Sequence, residues 1–169
     1  MAHCGLGHYA FSQNQKNTLV PIEVYNEEYF MRQALQEAAL ALEEGEIPVG
    51  AVVVANKRVI ARAHNQVERL NDATAHAEML AMTSASNYLG SKYLTDCTLY
   101  VTLEPCTMCA GGMYWSQLAE VVYGAGDEKR GYARLGDGVM HPKTKVRYGV
   151  MEAEAQALLA EFFKKLRGT

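Results

Sequence analysis

Apolar positions along this chain keep two different rhythms. From Asn26 onward, Phe30, Ala34, Leu35, Ala38, Ala41 and Leu42 recur at three- and four-residue steps, the spacing that lines one face of a helix. Asn26 suits the N-cap of that helix and Gly45 its stop. Val49 to Ala55 and Arg58 to Ala63 are β-branched runs separated by Asn56-Lys57, short enough for a hairpin turn. A second helix is expected over Ala75 to Leu89, rich in Ala and Met, and a strand over Thr98 to Leu103. Pro105 ahead of Cys106 to Trp115 signals a third helix. Val121 to Tyr123 reads as a short buried strand and Glu152 to Leu166 as a closing amphipathic helix. Strands alternating with helices predict an α/β protein with a mixed sheet: a leading hairpin, then parallel strands joined by crossover helices. Residues 124 to 149 are Gly-rich, charged and irregular; so long a segment in a compact domain is usually functional.

Residues 1 to 24 stand apart. Gly5 to Thr18 is polar and mixed without a sustained period, which predicts a flexible extension ahead of one domain spanning 25 to 169. His3, Cys4 and His8 near that end are expected to bind nothing. A chain of 169 residues, 49% hydrophobic and 21% charged, suits a single globular core. No apolar run approaches the ~18–20 residues that cross a bilayer. Met1 to Val20 lacks the basic start and apolar block of a secretory signal, so a cytoplasmic protein without a membrane partner is expected. The net charge of −3 and pI near 6.0 exclude a domain that wraps nucleic acid by charge alone, for which a pI above about 9 is usual. They leave room for a local basic patch.

The four cysteines are Cys4, Cys97, Cys106 and Cys109, a density that argues against a disulfide framework in a chain without an export signal. Two short stretches carry the chemistry: His76-Ala77-Glu78 at one predicted helix start and Pro105-Cys106-Thr107-Met108-Cys109 at another. Cysteines three apart share a helix face and can grip one ion, and a helix N-terminus favours the thiolate that a metal requires. With His76 as a third ligand, Zn²⁺ keeps a fourth position for water, the catalytic rather than the structural pattern. Glu78 can then take the proton of that water. Residues two apart on a helix point away from each other, so His76 and Glu78 serve one water only where the helix begins or where a substrate slot lies between them. A redox pair and a structural zinc site with Cys97 as fourth ligand are the alternatives. His-x-Glu followed by Pro-Cys-x-x-Cys is the general signature of zinc deaminases.

From Glu27 to Arg167 the chain resembles the bacterial tRNA-specific adenosine deaminases. The resemblance is carried by Met31-Arg32-Gln33-Ala34-Leu35, Gly45-Glu46-Ile47-Pro48-Val49-Gly50-Ala51, Asp72 to Glu78, Thr98 to Gly111 and Leu158 to Lys165. Leu103 before Glu104-Pro105-Cys106 fits these enzymes better than guanine deaminases. The resemblance implies a three-layer α-β-α fold of the cytidine deaminase-like kind with a mixed five-stranded sheet. It also implies one zinc per subunit, a homodimer, and hydrolysis of adenosine to inosine at the wobble position of a tRNA anticodon arm. In that reading Glu78 moves protons to the ring nitrogen and to the leaving ammonia while zinc-activated water attacks C6. Asn65 bonds the flipped base, the backbone N–H of Ala77 supports the reacting centre, and Ile47, Pro48 and Val49 form the base-pocket wall. Glu104 organises the cysteine turn. The chain departs from the pattern at Ala73, at Lys129-Arg130-Gly131 and in a shortened His141 to Tyr148 segment. A deaminase of free bases or nucleosides is the alternative function. Basic residues from Lys129 to Arg167, interspersed with Tyr132, Tyr148 and Phe163, are candidates for RNA contact, since loop RNA is read through phosphates and splayed bases.

Overall fold

The computed structural model describes residues 10–13, 19–22, 25–136 and 138–168. Within the stretch read as an extension, strands β1 (Ala10–Gln13) and β2 (Leu19–Ile22) pair antiparallel in a sheet of their own. Four-residue strands are too short for a periodic pattern to register. His3, Cys4 and His8 lie outside the described residues.

Helix α1 (Glu27–Glu43) starts where its sequence pattern does: the Asn26 side chain accepts a hydrogen bond from the Tyr29 N–H at 2.9 Å. It ends at Gly45, whose φ of +79° is the left-handed turn that a residue without Cβ takes most easily. β3 (Gly50–Ala55) and β4 (Arg58–His64) form the expected hairpin. Asn56 and Lys57 both have positive φ, as a two-residue type I′ turn requires. A four-residue helix, α2 (Val67–Leu70), follows, then α3 (Ala77–Leu89), β5 (Cys97–Leu103), α4 (Thr107–Trp115) and β6 (Glu120–Ala125).

The segment read as irregular carries a 3-10 turn at Tyr132–Leu135 and strand β7 (Lys145–Tyr148) before α5 (Glu152–Arg167). β7 was not marked by its sequence because it is an edge strand with three of its four residues exposed. The sheet order is β4-β3-β5-β6-β7, with β4, β3 and β5 antiparallel in turn and β5, β6 and β7 parallel. The β5–β6 crossover is helical as expected, whereas β6 reaches β7 through the loop and its 3-10 turn.

The sheet is covered on both faces, giving the three-layer α-β-α arrangement. On one face Phe30, Met31 and Ala34 of α1 pack with Val52, Val54, Tyr100 and Val122. On the other, Ala77, Ala81, Met82 and Ala85 of α3 and Cys109, Ala110 and Met113 of α4 pack with Ala51, Val53, Leu99, Val101 and Val121. The central strands β3, β5 and β6 are buried on both faces, which accounts for their continuous rather than alternating hydrophobicity. No helix among the described residues is long and apolar enough to cross a membrane.

Candidate active site

The carboxyl ends of β4 and β5 lie at one edge of the sheet, and α3 and α4 begin there. His76 is the N-cap of α3 and Cys106 the N-cap of α4, both in extended conformation. His76 therefore stands before the first helical turn rather than on it, so the divergence expected of residues two apart on a helix does not apply. Glu78 enters the same space and shares a hydrogen bond with the Cys109 thiol.

Nδ1 of His76 lies 3.6 Å from Cys106 Sγ and 3.5 Å from Cys109 Sγ, and the two sulfurs are 3.6 Å apart. Tetrahedral zinc with Zn–S near 2.3 Å and Zn–N near 2.0–2.1 Å sets its ligand atoms about 3.8 Å (S–S) and about 3.6 Å (S–N) apart. The three side chains are thus spaced for one tetrahedral ion, and they are the one such group among the described residues. Cys97, the alternative fourth ligand, is buried at the opposite end of β5 and has no place in the group.

The electrostatics fit the same donor set. A hydrogen bond from Cys109, supported by His76, holds the Cys106 thiol well below its ordinary range, at about 4. The same bond and burial push the Cys109 thiol up. A metal gripping both sulfurs would take them as thiolates. The hydrogen bond to Cys106 raises His76 despite its partial burial. Burial pushes the Glu78 carboxyl above the usual carboxylate range, the direction that suits a group taking up and returning a proton near neutral pH.

Backbone hydrogen bonds string the other expected site residues beside this cluster. The Asn65 N–H donates to the Val49 carbonyl at 3.0 Å, and the Gln66 N–H donates to the Ala75 carbonyl at 3.0 Å, next to His76. Pro48, Val49 and Ala77 are buried and Ile47 is partly so. At the start of α3 the His76 side chain makes no capping bond, so the Ala77 N–H lies at a buried helix terminus that its N-cap residue leaves open.

Glu104, expected to organise the cysteine turn, bonds the charged loop beside it. Its carboxylate accepts the backbone N–H groups of Asp127 (2.9 Å) and Ala133 (3.1 Å), tying the charged loop to the metal site. The Tyr132 N–H also donates to the Pro105 carbonyl at 3.0 Å. A Cβ at Gly131 would fall 2.3 Å from the Glu104 carboxyl, so glycine is required there by close approach. Sequence reasoning missed Glu46, whose carboxylate accepts from Asn65 Nδ2 at 3.0 Å and from the Arg69 N–H at 2.8 Å. Its one visible signal was a carboxylate at the edge of an apolar run.

The basic candidates separate into two groups. Arg147 is paired with Glu27 and Glu120, and Lys165 with Glu161, so both serve internal ion pairs. Lys129 and Arg130 lie on the loop that Glu104 fastens beside Cys106, their N–H groups on Asp127 Oδ1. Tyr148 is 74% exposed and stacks on Tyr123 at 5.7 Å.

Three ligands spaced for zinc, with a buried carboxyl group beside them, define the site of a zinc-dependent hydrolytic deaminase. Residues 24–125 match the family model for the cytidine and deoxycytidylate deaminase zinc-binding region. The chain is 48% identical over 145 residues to a tRNA-specific adenosine deaminase of Aquifex aeolicus, covering 83% of this chain and 95% of that protein. A solved structure from work on A-to-I editing by tRNA:A34 deaminases is 41% identical, with a TM-score of 0.74 over 78% of this chain and 99% of the other. A guanine deaminase from Bacillus subtilis is 40% identical with a TM-score of 0.59, over 66% of this chain and 70% of the other. The chain belongs to the zinc-binding cytidine and deoxycytidylate deaminase family, alongside its tRNA-specific adenosine deaminases.

Proposed function

We propose that this protein hydrolyses adenosine to inosine at the wobble position of a tRNA anticodon, as a cytoplasmic homodimer whose catalytic domain spans residues 25 to 169. The observation that carries the reading is the reach of its likeness to tRNA-specific adenosine deaminases, across 95% of one relative and 99% of one structure. The guanine deaminases are matched less well, one over 70% of its length and another over 84% at only 25% identity. Trp115, 79% exposed at the end of α4 beside core residue Met113, supports a subunit interface on that helix.

His76, Cys106 and Cys109 hold the metal, which when bound lowers the pKa of water toward about 7 and so supplies a nucleophile at neutral pH. Glu78 takes the proton from the attacking water and delivers it to the ring nitrogen next to C6. A carbon–oxygen bond forms at C6; Glu78 then takes the second proton, from the new C6 hydroxyl, and passes it to the amine, so that the carbon–nitrogen bond breaks, ammonia departs and C6 is left as a carbonyl. Burial of Glu78 keeps that proton within the site rather than in solvent. Asn65 binds the base, flipped from the anticodon loop into the pocket bordered by Ile47, Pro48 and Val49. The Ala77 N–H supports the reacting centre at the positive end of α3. Lys129 and Arg130 contact anticodon phosphates.

The test is incubation with an anticodon stem-loop carrying adenosine at the wobble position and, separately, with free guanine, cytosine and adenosine. Inosine in the stem-loop is expected. Ammonia released only from the small molecules would overturn the assignment.

A further inference from the structure

Glu46 is a carboxylate with 2% of its surface exposed, and no step above uses it. An acid so deep in the protein persists only where its oxygens are satisfied. Here one oxygen takes the Asn65 carboxamide nitrogen at 3.0 Å and the other the Arg69 backbone N–H at 2.8 Å. The backbone holds it too, since the Glu46 N–H donates to the Ala41 carbonyl at 2.9 Å, just past the end of α1.

We propose that Glu46 is the positioning residue that fixes which way Asn65 presents its amide to the substrate base. This rests on the reading of Asn65 as a base contact. A carboxamide can turn over by rotating about one bond, exchanging its oxygen for its nitrogen and reversing what it offers a ligand. Glu46 prevents that exchange: turning Asn65 over would set its carbonyl oxygen against a carboxylate oxygen, two acceptors with no proton between them.

The backbone of Asn65 is held by the same short stretch, through its N–H on the Val49 carbonyl. Residues 46 to 49 therefore fix both the place and the sense of the amide. The second contact, to Arg69, fastens helix α2 to the same carboxylate, so the segment that follows Asn65 is held in place with it. With Nδ2 committed to Glu46 by one proton, Oδ1 and the remaining N–H are what Asn65 offers to a base. That offer is the same in every molecule, and no substrate binding energy goes into selecting it.

The test is a cycle of E46Q, N65A and the double variant, with E46D as the conservative control. Each is assayed for kcat and KM on the wobble-adenosine stem-loop, for bound zinc, and for the side-chain NH2 resonances of Asn65, identified by their loss in N65A. A glutamine can face Asn65 with either its oxygen or its nitrogen, so E46Q permits both amide orientations. The expected result is a fall in kcat/KM of roughly 10- to 100-fold, carried chiefly by KM, with zinc retained. The Asn65 NH2 pair moves in E46Q and returns toward its wild-type position in E46D. The double variant is no worse than N65A, because Glu46 acts through Asn65.

Asn65 resonances unmoved in E46Q, or losses that multiply in the double variant, would overturn the proposal while N65A alone still supports Asn65 as a base contact. Full activity in N65A would instead remove that underlying reading, and the proposal with it. If E46Q does not fold, E46A, which removes the acceptor altogether, decides in its place. A weakened KM together with displaced Asn65 resonances supports the proposal, and unmoved resonances overturn it.

Discussion

Helices α1, α3 and α4 all begin on a residue in extended conformation, Asn26, His76 and Cys106 respectively. The three starts are put to different uses. Asn26 turns its side chain onto the N–H of Tyr29 and satisfies its own helix. His76 and Cys106 make no such bond; their side chains point to a common centre 3.5 to 3.6 Å apart. On the α1 face the cap stabilises the fold. On the α3/α4 face the same position is given to metal ligands. Stability forgone at a helix start is here converted into a metal centre with a positive helix end beside it.

The sharpest way to break that contrast is to remove a ligand. Cys109→Ser, or treatment with a strong chelator, should reduce deamination to background, checked by metal analysis and ammonia release on one sample. Gly131→Ala comes next: its Cβ would fall 2.3 Å from Glu104 and 2.6 Å from the Asp127 carbonyl. A loss of about 1–3 kcal/mol in denaturant unfolding is expected from such overpacking.

Two cap substitutions should then act in opposite directions. Asn26→Ala should cost about 1 kcal/mol of stability and leave zinc content and turnover intact. His76→Asn places a good cap where a ligand stood. In metal-free protein it should gain up to about 1 kcal/mol, while abolishing activity.

The smallest effect, nil at neutral pH, concerns Tyr100 and Tyr123, one in the core on each side of the sheet. Burial pushes both to about 12. Their folded values lie above the unfolded one, near 10, so their contribution is complete below pH 10 and is lost as pH rises toward 12. A thermal-melt series across that window should show a steepening decline, blunted by Tyr100→Phe.

How much of this was legible depended on whether the signal was local. The α1 start, the Asn56-Lys57 turn and the four residues His76, Glu78, Cys106 and Cys109 could be read from neighbours a few positions apart. The relation of His76 to Glu78 could not, because ideal helical geometry says nothing of a residue that stands just before the helix. β7 escaped because an edge strand with one partly buried residue has no apolar rhythm. Glu46 with Asn65, and Glu104 with Asp127 and Ala133, escaped for another reason. Their partners are 19, 23 and 29 residues away, so each bond exists only once the chain has folded. Arg147 shows the converse: a candidate for RNA contact by its charge, it stands in the fold beside Glu27 and Glu120, which no local pattern announces.

The division of labour at the site, with three residues holding metal and one moving the proton, is tested most directly in Glu78→Gln. Zinc content and inosine formation on the wobble-adenosine stem-loop should be measured on the same preparation. The account predicts one zinc per subunit and a fall in kcat of about 10²- to 10⁴-fold. Turnover at the wild-type rate with zinc in place would contradict it.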